Sequence, residues 1–207
     1  GVAVTTYETT GYFELDDVTI EKYDENDWPV RPEALKTKRA RETQIIKQAD
    51  VVMLLHLMGE EFSPELIKLN YSYYEKRTLH GSSLSPSIYS VMGLKVGDDS
   101  KAYRYLRRAA LLDMLDLQGN TREGIHAPNT GGVWQTVIFG FAGVEAEERG
   151  LLKIHPNMPK EWESLKFRLH YLDAWLEISV DGQNRAEVTR LSGSPVQIEI
   201  NGETKEV

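Results

Sequence analysis

The sequence contains no cysteine, which excludes a disulfide framework, a thiolate metal site and a thiol nucleophile, and fits a cytoplasmic setting. No apolar run approaches the roughly 20 residues that span a bilayer, so no membrane-spanning segment is expected. The N-terminus lacks a basic stretch followed by an apolar core, the pattern of a secretory signal, and it lacks an initiator Met. A start at Gly1, Val2, Ala3 and Val4 reads as a chain cut from something longer. Basic residues are in deficit, with 24 Lys and Arg against 32 Asp and Glu and a net charge of −8. That disfavours a nucleic-acid backbone as the main partner, because such affinity comes from clustered cations that release counterions. A neutral ligand such as a sugar stays compatible. The five histidines are too scattered to read as a metal-ligand set.

What is present is an ordinary globular balance of 41% hydrophobic and 27% charged residues. The length allows one ordinary domain or two small ones. Residues 1–35 alternate short β-like runs at 2–4 and 12–15 with acidic and Pro-containing turns, a loop-like lead-in suited to lie against another surface. From 36 to 150 the apolar spacing is helical. One helix is expected from Glu33 to Met58, stopped by Gly59. Ser63-Pro64 and Ser85-Pro86 then restart the chain as cap and first helical residue, and Asp98-Asp99 open a further helix. A segment from Val133 to Val144, apolar all round, is expected as a buried helix. After Gly150 the period becomes two, at 165–171, 174–180, 186–191 and 196–200, with turn signals at Asp181-Gly182, Ser192-Gly193 and Asn201-Gly202. Residues 151–207 are therefore expected to form a small antiparallel sheet that packs on helices or on a second sheet.

Four polar clusters interrupt these patterns. Lys47-Gln48 falls inside the first expected helix, where a solvent-facing Lys and a helix-neutral Gln are the plain alternative to a binding role. His80-Gly81-Ser82-Ser83 leads to Ser85-Pro86 at a helix start. Hydroxyls, a Gly that admits close approach and free amides suit an anion such as phosphate, although a turn capped by Ser85 uses the same residues. The loop from Gln118 to His126 and the Gly131-Gly132 turn are either connections or two loops opening at one end of a helical array, where ligand sites form. Glu75 and Glu123 are the carboxylates nearest these clusters in sequence, but they form no recognisable catalytic pair.

Taken together, Lys47-Gln48 within residues 43–52, His80-Gly81-Ser82-Ser83 within 78–85, the 118–126 loop and Gly131-Gly132-Val133-Trp134 resemble glycoside hydrolase family 65. That family holds maltose, trehalose, kojibiose and nigerose phosphorylases. The resemblance runs in order along nearly the whole chain. It implies a mainly α chain with a β domain: the C-terminal part of an (α/α)6 barrel followed by a small antiparallel sheet or sandwich. It implies that Lys47 and Gln48 hydrogen-bond the glucosyl unit being transferred. It also implies that His80, Gly81, Ser82, Ser83 and His126 form the phosphate site, with Ser82, Ser83 and His126 holding the anion. Inorganic phosphate would be a co-substrate, with an α-linked glucose disaccharide as its partner and no metal or organic cofactor. The family's acidic residue lies upstream of the matched region, so the chain alone is expected to be inactive, to need the missing N-terminal part, and to self-associate through its open apolar wall. A hydrolase of the same family and a noncatalytic carbohydrate-binding module are the competing readings.

Overall fold

A computed structural model of the chain describes residues 10–25, 28–147 and 150–207. The β-like run expected at residues 2–4 and the start of the turn at residues 26–27 lie outside them. The chain divides into two compact units, residues 1–133 and residues 134–207.

The first unit is helical: α1 (Thr10–Phe13), α2 (Asp50–Leu57), α3 (Pro64–Glu75), α4 (Ser85–Val96), α5 (Asp99–Leu111) and α6 (Ala127–Gln135). The long helix expected from Glu33 is not formed, and only its last part, α2, is helical. Ahead of it the chain makes two single 3₁₀ turns, Glu33–Lys36 and Ala40–Glu42. The cause is local competition for the backbone. The Arg39 N–H donates to Glu42 Oε2 at 3.0 Å, Thr43 Oγ1 donates to the Ala40 carbonyl at 2.9 Å, and the Ile45 N–H donates to Thr43 Oγ1 at 3.2 Å. The β-branched pair Ile45-Ile46 then continues extended, with the Gln44 N–H on the Asp16 carbonyl at 2.9 Å.

The starts of α3 and α5 are where the sequence signals put them. Ser63 caps α3, its Oγ accepting from the Leu66 N–H at 3.3 Å, with Pro64 next. Asp98 caps α5, and Gly97, at φ 79°, ends α4. Their buried faces share a core of Val52, Leu55, Ile67, Tyr71, Tyr74, Ile88, Tyr89, Met92 and Tyr105.

The second unit opens with a π-helical turn, Thr136–Phe141, followed by β1 (Val144–Ala146), β2 (Leu151–Ile154), β3 (Ser164–Tyr171), β4 (Ala174–Asp181), β5 (Ala186–Ser192), β6 (Gln197–Ile200) and β7 (Glu203–Glu206). The segment 133–144 is thus not one helix buried all round: Ile138 and Phe141 are buried, whereas Trp134 and Phe139 are exposed. There are two sheets, in the orders β1-β2-β6-β7 and β3-β4-β5. Pairing is antiparallel except between β2 and β6, which is parallel, so the β domain is mixed rather than purely antiparallel. The alternation of β4 buries Ala174, Leu176, Ile178 and Val180 in a common core with Leu152, Ile154, Val196 and Ile198.

Candidate functional site

Two loops distant in sequence meet in the first unit. Ile46 and Thr78 form an isolated parallel bridge. The Ile46 N–H donates to the Arg77 carbonyl at 2.8 Å, the Leu79 N–H to the Ile46 carbonyl at 2.9 Å, and the Gly81 N–H to the Lys47 carbonyl at 2.8 Å. Lys47-Gln48 therefore sits in an extended lead-in to α2, side by side with the lead-in to α4. This corrects the helical placement expected for the pair. Lys47 is exposed and Gln48 half-buried, and Gln48 Nε2 donates to Asp50 Oδ1 at 2.9 Å. A Cβ on Gly81 would lie 3.2 Å from Lys47 Cγ, so a side chain there would make the Lys47 side chain give way.

His80 is placed otherwise than expected. Its backbone is left-handed, at φ 51°, and its side chain is 1% exposed. Nδ1 lies 2.8 Å from Ser85 Oγ and Nε2 3.1 Å from the Tyr105 hydroxyl. The ring packs against Tyr89, Tyr105 and Trp28, and the Arg108 guanidinium stacks 3.8 Å over Trp28. Burial, reinforced by the Arg108 charge, pushes the imidazole down to about 3, so it is neutral. With both nitrogens engaged by protein hydroxyls, His80 anchors the loop and has none left for a ligand oxygen.

Ser82 and Ser83 are half-buried, and the Ser82 carbonyl accepts from the Ser85 N–H at 3.1 Å. Ser85 is the first residue of α4 rather than its cap. Leu84 holds the cap position and has no polar side-chain atom to cap with, and the Ser85 hydroxyl is turned to His80. The positive end of the α4 dipole thus lies beside the serine loop. Gln48, Asp50, Ser82 and Ser85, with Ala49, Met53, Leu84 and Ile88, line a cavity of about 110 Å³. That is below the roughly 300 Å³ at which ligand pockets begin. Larger hollows, of about 460 Å³ along residues 17–22 and 30–34 and about 560 Å³ on β3–β5, gather none of the candidate residues.

His126 ends the third polar loop, and Asp113 holds it in place. The His126 N–H donates to Asp113 Oδ2 at 2.8 Å, and Nδ1 lies 2.5 Å from Oδ1. These hydrogen bonds keep the Asp113 carboxyl below the usual carboxylate range. The following helix is fixed by Asn129 Nδ2, which donates to the Ala109 carbonyl at 2.8 Å. A Cβ on Gly132 would lie 2.4 Å from Ser87 Oγ. The second turn of α6 therefore packs on the first turn of α4.

Residues 3–135 match the model of the glycosyl hydrolase family 65 central catalytic domain, and residues 147–207 match the family 65 C-terminal domain. The chain belongs to glycosyl hydrolase family 65. It is 49% identical over 193 residues to a kojibiose phosphorylase of Caldanaerobacter subterraneus subsp. tengcongensis, a match covering 93% of this chain and 25% of the relative. It is 40% identical to an α,α-trehalose phosphorylase of Geobacillus stearothermophilus, covering 77% of this chain and 20% of that one. Among solved structures, a human-microbiome protein described as a candidate kojibiose phosphorylase superposes with a TM-score of 0.81 at 32% identity, covering 95% of this chain and 26% of that one. The chain spans about a quarter of the length of these relatives, and its helical portion followed by a small β domain is the arrangement that the family resemblance implied.

Within this family 65 chain, Glu75 and Glu123 are not free acids of a shared site. Glu75 is 3% exposed, accepting from the Tyr105 hydroxyl at 3.1 Å and pairing with Lys101 at 2.8 Å. Glu123 is exposed in a 3₁₀ turn. Among the described residues no group of three or more His, Asp or Glu is placed to hold a metal, and no helix is long and apolar enough to cross a membrane. Sequence reasoning missed Asp113, Tyr105 and Trp28. No short motif marks them, since each meets its histidine through the fold.

Proposed function

We propose that the protein carrying this chain is an inverting phosphorylase of α-linked glucose disaccharides. Phosphate attacks the anomeric carbon of the glucosyl unit from the face opposite the departing sugar. The glycosidic bond breaks, the leaving oxygen takes a proton, and β-glucose 1-phosphate and a free sugar result. The observation that carries this reading is the adjacency of Lys47-Gln48 to Gly81-Ser82-Ser83 across the Gly81–Lys47 hydrogen bond, with Gln48 and Ser82 lining one cavity. Directed donors and acceptors at 47–48 suit sugar hydroxyls. Serine hydroxyls beside an uncapped helix start suit an anion, and His126, oriented by Asp113, supplies a further imidazole. Phosphate is itself the nucleophile, so no protein base is needed. The proton for the leaving oxygen comes from a carboxylic acid outside this chain, and the chain alone turns over nothing. No metal or organic cofactor takes part. The exposed apolar residues Leu54, Leu57 and Met58 are covered by the rest of the protein.

The test is a phosphorolysis assay on the full-length protein with kojibiose, trehalose, nigerose and maltose. Kojibiose is tried first because relatives at 49% and 46% identity are kojibiose phosphorylases. Phosphate-dependent glucose 1-phosphate that falls at least about tenfold in Ser82→Ala and Ser83→Ala, the cost of losing a hydrogen bond to a charged group, is the expected result. Glucose release without phosphate, unchanged in both variants, would make the protein a hydrolase.

A further inference from the structure

The serine loop is held by a buried chain of hydrogen bonds whose direction can be worked out atom by atom. The Tyr105 hydroxyl has one proton, and it donates to Glu75 Oε1 at 3.1 Å. Tyr105 therefore has only lone pairs for His80, and the contact at 3.1 Å requires His80 Nε2 to carry the imidazole proton. Nδ1 is then bare and accepts from Ser85 Oγ, 2.8 Å away. At the far end, Lys101 Nζ sits 2.8 Å from Glu75 Oε2. The protons point one way, from Ser85 to His80 to Tyr105 to Glu75, and Lys101 anchors the terminal carboxylate. Glu75, His80 and Ser85 are each at most 3% exposed and Tyr105 is 7% exposed. The chain ties together α3, α5, the left-handed residue before Gly81 and the first residue of α4.

We infer that Glu75, Tyr105 and His80 are positioning residues for anion binding: they fix one imidazole tautomer, and through the Ser85 hydroxyl they set the start of α4 and the turn carrying Ser82 and Ser83. This rests on the reading of that turn as the phosphate site. The three residues touch no substrate, and their effect reaches phosphate only through the loop. The sugar-facing pair Lys47-Gln48 is tied to the same loop by a backbone bond alone, so loosening the relay weakens phosphate more than sugar. Glu75 belongs here rather than among acids for the leaving group, because Tyr105 and Lys101 occupy its two oxygens.

The experiment measures KM for phosphate and for disaccharide, kcat and Tm in the full-length protein and in Tyr105→Phe, Ser85→Ala, Glu75→Gln and Glu75→Leu. The control is Tyr89→Phe, which deletes an equally buried hydroxyl bound to Thr78 Oγ1 at 2.6 Å and off the relay. Tyr105→Phe and Ser85→Ala are expected to raise the phosphate KM about tenfold and the sugar KM less than about twofold. Glu75→Gln, which keeps an acceptor for Tyr105, is expected to lose less than Glu75→Leu. Tyr89→Phe is expected to lower Tm and leave the phosphate KM alone. Should Tyr105→Phe fail to fold, Ser85→Ala and Glu75→Gln test the two ends of the chain. A phosphate KM unchanged in Tyr105→Phe and Ser85→Ala, or raised equally by Tyr89→Phe, while Ser82→Ala still raises it, overturns the relay and leaves the phosphorylase reading intact. No phosphate-dependent turnover in the parent overturns both.

Discussion

The two units bury different chemistry. In the second, Leu152, Ile154, Leu176, Ile178, Val180 and Ile198 are at most 1% exposed, and Thr136 is the one buried polar residue among those described. In the first, Asn70, Glu75, Thr78, His80, Ser85, Ser90 and Asn129 are at most 3% exposed, beside Tyr71, Tyr74, Tyr89 and Tyr105. The buried side-chain atoms with no hydrogen-bond partner, among the described residues, all lie there too, Asn70 Oδ1 and the Tyr71 hydroxyl among them. Each such atom costs about 1–3 kcal/mol. A fold that retains them gives up stability for the orientation that directed bonds impose, which is what a binding site needs. The second unit's buried residues are almost all apolar, and substitutions in the two units should separate accordingly.

The sharpest separation comes from Ile178→Ala. The side chain is fully buried at the centre of β4, and its removal should cost about 3 kcal/mol in urea unfolding. Under the phosphorylase reading, the phosphate KM of the folded full-length protein should stay within about twofold of the parent. A rise as large as that expected for Ser85→Ala would break the distinction between the units.

His80 supplies the next effect, visible through pH. Its folded value of about 3 lies below the roughly 6.5 of an unfolded histidine. The unfolded state therefore binds the extra proton as pH falls. Stability present above about pH 6.5 is lost toward pH 3, with a slope approaching about 1.4 kcal/mol per pH unit. His56 is also lowered, by burial and by the Lys95 charge, and acts in the same direction. The measurement is thus a difference: urea unfolding at several pH values between about 7 and 4 for the parent and for His80→Asn, Asn being a residue that tolerates positive φ. The variant should lose about one proton's worth of slope. Parallel curves would mean that His80 is not sealed, and the polar core would lose its centre.

The same contrast explains what could be read from the sequence. The strands β3, β4 and β5 follow local alternation, and Asn201-Gly202 is the turn between β6 and β7, with φ of 48° and 91°. By contrast β7 was missed because all four of its residues are exposed and show no alternation. The parallel pairing of β2 with β6 joins segments that no local pattern connects. In the first unit the identities of Lys47, Gln48, Ser82 and Ser83 stand out as polar interruptions. Their adjacency does not, since it depends on the Ile46–Thr78 bridge. Nothing in the local pattern of α5 marks Tyr105, and only the fold brings its hydroxyl between Glu75 and His80.

Two small backbone changes sharpen the comparison further. Asn201→Ala places a Cβ-bearing residue with no side-chain bond of its own at φ 48° in the second unit, and should cost about 1 kcal/mol in unfolding with no effect on catalysis. Gly81→Ala in the first unit should cost no more than that, because its new methyl meets Lys47 Cγ at 3.2 Å and Lys47 is an exposed, flexible chain that can yield by a few tenths of an ångström. Yielding moves the Lys47 side chain, however, so the disaccharide KM should rise about three- to tenfold, the cost of one weakened hydrogen bond to a sugar hydroxyl. Paired measurements of unfolding and KM on the two variants therefore give opposite patterns if the first unit carries the sugar site. Equal stability losses with no change in either KM would remove Lys47 from that site and leave Gly81 as a purely structural residue.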